Sequence, residues 1–240
     1  MRHLILPGLI ALALAGCKAG PAKPAGFVDS ARMTKQKDLP FHRAWRGSKD
    51  GLSRYKKIYI APVDTSHLLE MSWWKKGEAG AADNFKKDIK KIAREFRVVL
   101  RQAFKKPPKG VKNRYVVVDS PKGADTLVLE FAIVQIVPSK AALEALSWVM
   151  PFGSGILLTP LNTSSAAMEG MFRDGRSGKV LLAFADREGE KARPVDLAGF
   201  TWYTHAKAIM KDWARQLVLV ANQKPGEVIP DTKVFTLKPW

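Results

Sequence analysis

The sequence is poor in the residues that most often build a recognisable active site. Cys17 is the single cysteine among 240 residues, so no internal disulfide can form. Histidines number four; His42, His67 and His205 lie far apart, and none has the His-x-x-x-His spacing of a metal site. No Gly-x-Ser-x-Gly elbow and no Gly-x-x-x-x-Gly-Lys phosphate loop occurs, and Gly153-Ser154-Gly155, a near miss, sits in a proline-flanked apolar stretch without the elbow spacing. An unbroken apolar run is also missing. Residues 145–168 carry no charge, but Pro151, Pro160, scattered glycines and Asn162-Thr163-Ser164-Ser165 argue against a membrane-spanning helix there. These absences nominate no catalytic residue, no metal and no other cofactor; a catalytic site would have to be assembled from dispersed residues. Acid is scarce as well: 22 Asp and Glu stand against 40 Lys and Arg, a formal charge of +18.

What is present begins at the first residues. Arg2 and His3 are followed by an apolar stretch from Leu4 to Ala15, interrupted only by Pro7 and Gly8, and then by small residues. This charged, apolar, small-residue order is that of a secretory signal peptide, and it is too short to span a bilayer. Leu14, Ala15, Gly16 and Cys17 together resemble the lipobox of bacterial lipoproteins, the alternative being an ordinary signal peptide with a chance cysteine. The resemblance implies cleavage before Cys17 and acyl chains on it; two or more chains hold a protein stably on a membrane, where one is marginal. Lys18 in place of an aspartate implies the periplasmic face of the outer membrane, by the sorting rule of enteric bacteria. Export makes nucleic acid an unexpected partner for the positive charge. Anionic lipid, lipopolysaccharide phosphates and acidic cell-wall polymers fit it better, unless the source proteome simply runs basic.

Four segments follow: residues 1–16 as signal peptide, 17–40 as acylated cysteine and flexible tether, 41–225 as one globular domain, and 226–240 as a tail or an added strand. The tether is rich in Pro, Gly, Ala and Lys, and its root-mean-square reach is roughly 25 Å. Arg54 to Val63 reads as an inner strand with Pro62 at its end. Trp73-Trp74 falls in an irregular stretch, where one ring packs and the other covers a loop or meets a partner. Residues 81–106 form the longest helix, with Phe85, Ile89, Ile92, Phe96, Val99 and Ala103 at spacings of three and four and Pro107-Pro108 as its stop. On another face Lys86, Lys90, Arg94, Arg97, Arg101 and Lys105 make a basic stripe, which is either a surface for an anionic polymer or membrane or a solvated helix face.

Thr126 to Val137 is almost wholly apolar and β-branched, as a central strand is. Glu130 within it needs a partner or a raised pKa, which makes it either a site candidate or an acid that pairs with a nearby Lys or lies at a frayed edge. Residues 139–150 suit a short helix. Residues 150–161, opening on Met150 and closing on Leu161, form an apolar loop that either packs or meets a protein partner or lipid. A β-hairpin follows, with Met168, Gly170 and Phe172 on one face, Glu169, Met171 and Arg173 on the other, and a turn from Asp174 to Gly178. Trp202, Ala206, Ile209, Trp213, Leu217 and Val220 mark a second amphipathic helix.

This order resembles a family of bacterial lipoproteins known only as a domain of unknown function, numbered 3313. The likeness rests on Gly26-Phe27, Tyr55-Lys56-Lys57-Ile58 leading to Pro62-Val63, Glu169-Gly170, Arg173-Asp174, Gly178-Lys179-Val180-Leu181, Asp186-Arg187, Trp202 and Asp212-Trp213-Ala214. It implies a compartment and a layout but no activity. The expectation is an α+β fold: a mixed, largely antiparallel sheet packed mainly on one face by two amphipathic helices. The expected function is that of a membrane-anchored envelope protein which binds rather than catalyses, the alternative being a periplasmic hydrolase with dispersed residues.

Overall fold

The computed structural model describes residues 20–47, 51–69, 79–137, 164–189 and 204–232. Among them the elements are β1 (Arg43–Arg46), β2 (Lys57–Ile60), α1 (Ala79–Lys105), β3 (Val116–Val118), β4 (Thr126–Val137), β5 (Ser165–Asp174), β6 (Val180–Gly189) and α2 (Thr204–Ala221). The strands form one sheet in the order β1-β6-β5-β4-β2-β3. Pairs β4/β5, β5/β6 and β6/β1 are antiparallel, whereas β2 lies parallel to both β3 and β4. The α+β class and the mixed sheet are those expected. Pro62 falls just beyond β2, where a missing N–H costs no ladder bond.

β4 is the central strand because both its faces are covered. Leu127, Leu129, Phe131 and Ile133 enter the main core under the helices, while Ala132 and Val134 enter a second apolar cluster on the opposite face. A register shift between Ile133 and Gln135 inverts the alternation, so Ile136 rejoins the helix side. On β5, Gly170 lies beneath the Phe184 ring. A Cβ there would stand 2.5 Å from Phe184 Cζ, so only glycine leaves room for the aromatic.

α1 and α2 pack on one face of the sheet. The buried line of α1 runs through Ile89, Ile92, Ala93, Phe96, Leu100 and Phe104, with Val99 and Ala103 only partly buried. It therefore drifts around the helix from the stripe expected, as a period of 3.6 requires over many turns. Phe96 meets Phe131 edge-on at 4.8 Å, and Trp213 of α2 stands 6.1 Å from Phe131. At the lower ends of both helices the Tyr115 hydroxyl lies 2.7 Å from Ala221 O and 2.9 Å from Leu52 O.

The other face is covered by the chain itself. Val28 and Met33 are buried against Met171, Ala183 and Ala185, and Ala22, Ala25 and Phe27 pack on Ala132, Val134 and Ala167. Leu39 and Phe41 belong to the main core. The flexible tether expected through residue 40 therefore gives way, from Ala22 onward, to a strap laid across the sheet. Small residues that look like linker here allow close approach to a flat apolar surface. Thr34 then closes the outer edge of β1 by exchanging two backbone hydrogen bonds with Ala44, at 3.0 and 2.8 Å. After α2, Ile229 is buried with its N–H on Asp38 O, and the Thr232 hydroxyl donates to Glu188. The signal peptide expected at 1–16, the first residues of the tether at 17–19, the short helix expected at 139–150 and the end of the tail or added strand at 233–240 lie outside the described residues.

The sheet has two distinct ends. At the lower end sit the β5–β6 turn and the starts of β2, β3 and β4. At the upper end β4 finishes at Val137 opposite Ser165, which faces Gly189 of β6. The chain after β2 continues upward beside β4, with Asp64 bridged to Ala132 and the Leu69 N–H on Val134 O.

Candidate functional site: buried carboxylates and a basic helix face

Four carboxylates of the β5–β6 hairpin are buried, and three of them, Glu169, Asp174 and Asp186, each organise a different part of the fold. Glu169 points to the strap side of the sheet. Its Oε1 accepts the Ala25 N–H at 2.7 Å, and its Oε2 accepts the N–H groups of Phe27 and Val28 at 2.9 and 3.1 Å. Gly26, at φ +85°, turns the backbone so that N–H groups on both sides of it converge on one carboxylate.

Asp174 closes the hairpin turn and ties it to β2. Its Oδ1 accepts from the Arg176 and Ser177 N–H groups at 3.0 and 2.7 Å and from Ser177 Oγ; its Oδ2 accepts from the Tyr55 hydroxyl at 2.6 Å and from Arg54 at 2.7 Å. The Tyr55 hydroxyl, followed by the Ser177 N–H, holds the Asp174 carboxyl far below the ordinary carboxylate range. Burial, and then the same carboxylate, raise the pKa of Tyr55.

Asp186 faces the helices. Its Oδ1 takes the His42 N–H at 3.1 Å and meets His42 Nδ1 at 2.7 Å, while Oδ2 accepts from Trp213 Nε1 at 3.0 Å. The Arg187 N–H donates to the same ring nitrogen at 3.2 Å, so Nδ1 sits between the carboxylate and a backbone donor. Among the described residues no hydroxyl or thiol hydrogen-bonds His42, so the pair has the orientation of a base and its partner without a nucleophile beside it.

Glu130, the acid singled out from the sequence, is about one-third exposed and pairs with Arg173 Nε at 2.8 Å across the β4–β5 pair. It meets neither His nor Asp; it is paired, but with an arginine of the neighbouring strand rather than the lysine expected. A smaller polar knot lies at the strap's border. Asp64 accepts from Ser66 and from His67 Nδ1 at 3.0 Å, and His67 meets the edge of the Phe27 ring at 5.3 Å. No group of three or more His, Cys, Asp and Glu suited to a metal ion occurs among the described residues.

The basic stripe on α1 divides. Arg97 donates Nε to Ile60 O at 3.0 Å, and Arg101 donates to Val118 O and to Asp119 at 2.7 Å, so both cations secure the helix to the sheet edge. Lys86, Lys90, Arg94 and Lys105 are exposed. Helical spacing alone cannot separate these roles, because the difference lies in which strand edge each cation reaches. Cys17, Leu14, Ala15, Gly16, Trp73, Trp74 and the 150–161 stretch lie outside the described residues. No helix among the described residues is long and apolar enough to cross a membrane.

Sequence reasoning named Glu169 and Asp186 as part of the hairpin and the resemblance but gave neither a site role. The available signal was an acid at each end of an apolar alternation, on strands otherwise buried on both faces. The residues quoted for the resemblance converge on these same contacts: Gly26-Phe27 on Glu169, Tyr55 on Asp174, and Trp213 on Asp186.

The class is thus an α+β domain whose sheet carries two helices on one face and an N-terminal strap on the other. The chain belongs to the family described as Protein of unknown function (DUF3313), which matches residues 23–217. Among solved structures it is similar to a PelC dodecamer from Paraburkholderia phytofirmans, with 8% identity over 76% of this chain and 96% of PelC, at a TM-score of 0.38. A variant dodecamer of the same protein gives 10% identity over 75% and 95%, also at 0.38. No curated protein matches the chain.

Proposed function

We propose that this protein is a lipid-anchored, periplasm-facing protein of the bacterial envelope that binds an anionic surface through α1. The observation that carries the reading is the exposed row Lys86, Lys90 and Arg94, which among the described residues has no ion-pair partner, while Arg97 and Arg101 farther along are engaged with the sheet. A row of free cations attracts phosphate or carboxylate polymers with an affinity that falls as salt rises. The lipobox at Leu14 to Cys17 supports the anchor, and Lys18 supports the outer membrane. Candidate ligands are anionic lipid, lipopolysaccharide and cell-wall polymer; the 150–161 stretch is a candidate site for a protein partner.

The test is co-sedimentation of the acyl-free protein with anionic vesicles and with purified sacculi across a salt series. Binding at low salt that weakens with salt, and drops at least tenfold in Lys90→Glu/Arg94→Glu, supports the reading; no binding to either at low salt defeats it. A second reading, a hydrolase with a dispersed site, is favoured by the His42–Asp186 pair. It predicts an esterase or amidase activity abolished by His42→Ala.

A further inference from the structure

The turns and strand entries at the lower end of the sheet have a composition of their own. Residues 51–57, 106–115, 119–125 and 174–179 hold ten Lys and Arg against three Asp, whereas the whole chain has 40 against 22 acids. All three aspartates are already taken: Asp119 by Arg101 at 2.7 Å, Asp125 by Lys57 at 3.3 Å and Asp174 by Arg54 at 2.7 Å. The cations left over are spread over several elements. Arg176 and Lys179 stand in the β5–β6 turn, Lys122 in the turn before β4, Lys56 at the entry to β2, and Lys109 and Lys112 in the run from α1 to β3. Each is exposed, and none has a side-chain hydrogen bond or an ion pair among the described residues.

Strand order turns this set into a row. β6, β5, β4, β2 and β3 are consecutive neighbours. Neighbouring strands lie about 4.8 Å apart, so the row crosses roughly 19 Å of sheet edge. The backbone that carries it is held from within. Asp174 accepts the Arg176 and Ser177 N–H groups, Lys56 and Lys57 both donate backbone N–H to Asp125 O, and Asn113 ties the run before β3 to Phe104 O. Cations fixed at strand spacing repel one another in the free protein, and a ligand that carries negative charges in series relieves that repulsion.

The side chains beside the row select the kind of ligand. Surfaces that enter a bilayer combine lysines with aromatic or leucine side chains at the headgroup level. Among the described residues the exposed large apolar side chains are Val98, Val116 and Val228, with no aromatic and no leucine. Lysine also outnumbers arginine in the row, and an ammonium acts as a point charge where a guanidinium fork would select one planar group. Both features favour a flexible polymer held by charge density over a lipid surface or a single small anion.

We infer that the lower end of the sheet is a binding surface for a soluble polyanion, a polymer with repeated phosphate or carboxylate groups. It is separate from the row of Lys86, Lys90 and Arg94, which lies in the other half of α1, and it stands whether or not that row binds anything. The test uses the full chain in neutral detergent, with labelled polyphosphate and labelled polyglutamate followed by fluorescence anisotropy across a salt series. The decisive variants are Lys56→Gln/Lys112→Gln/Lys122→Gln/Lys179→Gln at the lower end and Lys90→Glu/Arg94→Glu on α1. The two lower the net charge equally, so a difference between them reports position. At least one polymer should bind at low salt, and which one binds more tightly tells phosphate from carboxylate. The fourfold variant should weaken that binding at least tenfold. Its slope of log K against log salt should shrink by about 3, at roughly 0.7 for each charge removed. Lys122→Gln/Lys179→Gln, confined to turns, should lose about half of that slope, and the α1 variant should weaken binding less than threefold. Failure of both polymers to bind at low salt overturns the inference. So does equal weakening by the two variants, which assigns binding to net charge alone, or weakening by the α1 variant only. Loss of binding to phosphatidylglycerol vesicles in the fourfold variant, with polymer binding unchanged, also overturns it and makes the surface a membrane contact.

Discussion

Replacing Glu169 should release the strap while leaving the sheet standing. The carboxylate is 1% exposed and accepts three backbone N–H groups, from Ala25, Phe27 and Val28. A hydrogen bond to a charged group contributes about 1.5–3 kcal/mol, and a buried donor left unpaired costs about 1–3 kcal/mol. Two of the three N–H groups are only part-buried, so water replaces some of the loss, and the expected cost of Glu169→Ala is about 3 kcal/mol. The apolar contacts of Phe27 and Val28 remain, so the loss concentrates in local opening of residues 22–33. Hydrogen exchange followed by mass spectrometry on that peptide should accelerate roughly a hundredfold, since about 1.4 kcal/mol is a factor of ten. Trypsin should cut after Arg32 far sooner than in the parent chain. Glu169→Gln should fall between the two, because one of its oxygens becomes an NH2 group facing backbone donors. Unprotected amides at 25, 27 and 28 in the unaltered protein, or exchange unchanged by Glu169→Ala, would refute the clamp.

Asp174→Asn should cost about 2–4 kcal/mol in denaturant melts. Because the folded pKa of Asp174 is lowered, its contribution is complete above the unfolded value of about 3.9 and is lost as pH falls through the depressed folded value. The stability gap between parent and variant should therefore be constant near neutrality and close progressively below about pH 4; a gap that widens in acid would contradict the assignment. Gly170→Ala should destabilise by about 1–3 kcal/mol through overpacking on Phe184, and Phe184→Leu should recover part of that loss in the double variant. Trp213→Phe should cost about 2–4 kcal/mol, since it strips Asp186 of a donor and leaves a void. Arg97→Gln should lower the melting temperature measurably while Lys90→Gln leaves it within error, because only Arg97 reaches a strand carbonyl.

The periodic elements were legible in the residues because burial imposes their periods. β4, the β5–β6 hairpin, both helices and the proline stops follow from apolar spacing alone. The strap was not legible. Residues 20–33 carry the composition of a linker, and what fixes them is a carboxylate more than 140 positions away. Glu130 and Glu169 illustrate the same gap. Both occupy apolar strands, but Glu130 lies beside an arginine on the neighbouring strand, and Glu169 lies under a segment whose course no local pattern records. The division of the α1 cations is nonlocal for the same reason.

The two borders of the sheet differ in length but agree in effect. On one side Thr34 takes up the backbone groups that β1 would otherwise present outward. On the other, β3 is three residues long, and a guanidinium lies across its last carbonyl. Open, flat borders are where β-proteins recruit further strands from neighbouring copies. Among the described residues neither border offers a template long enough for strand-by-strand growth.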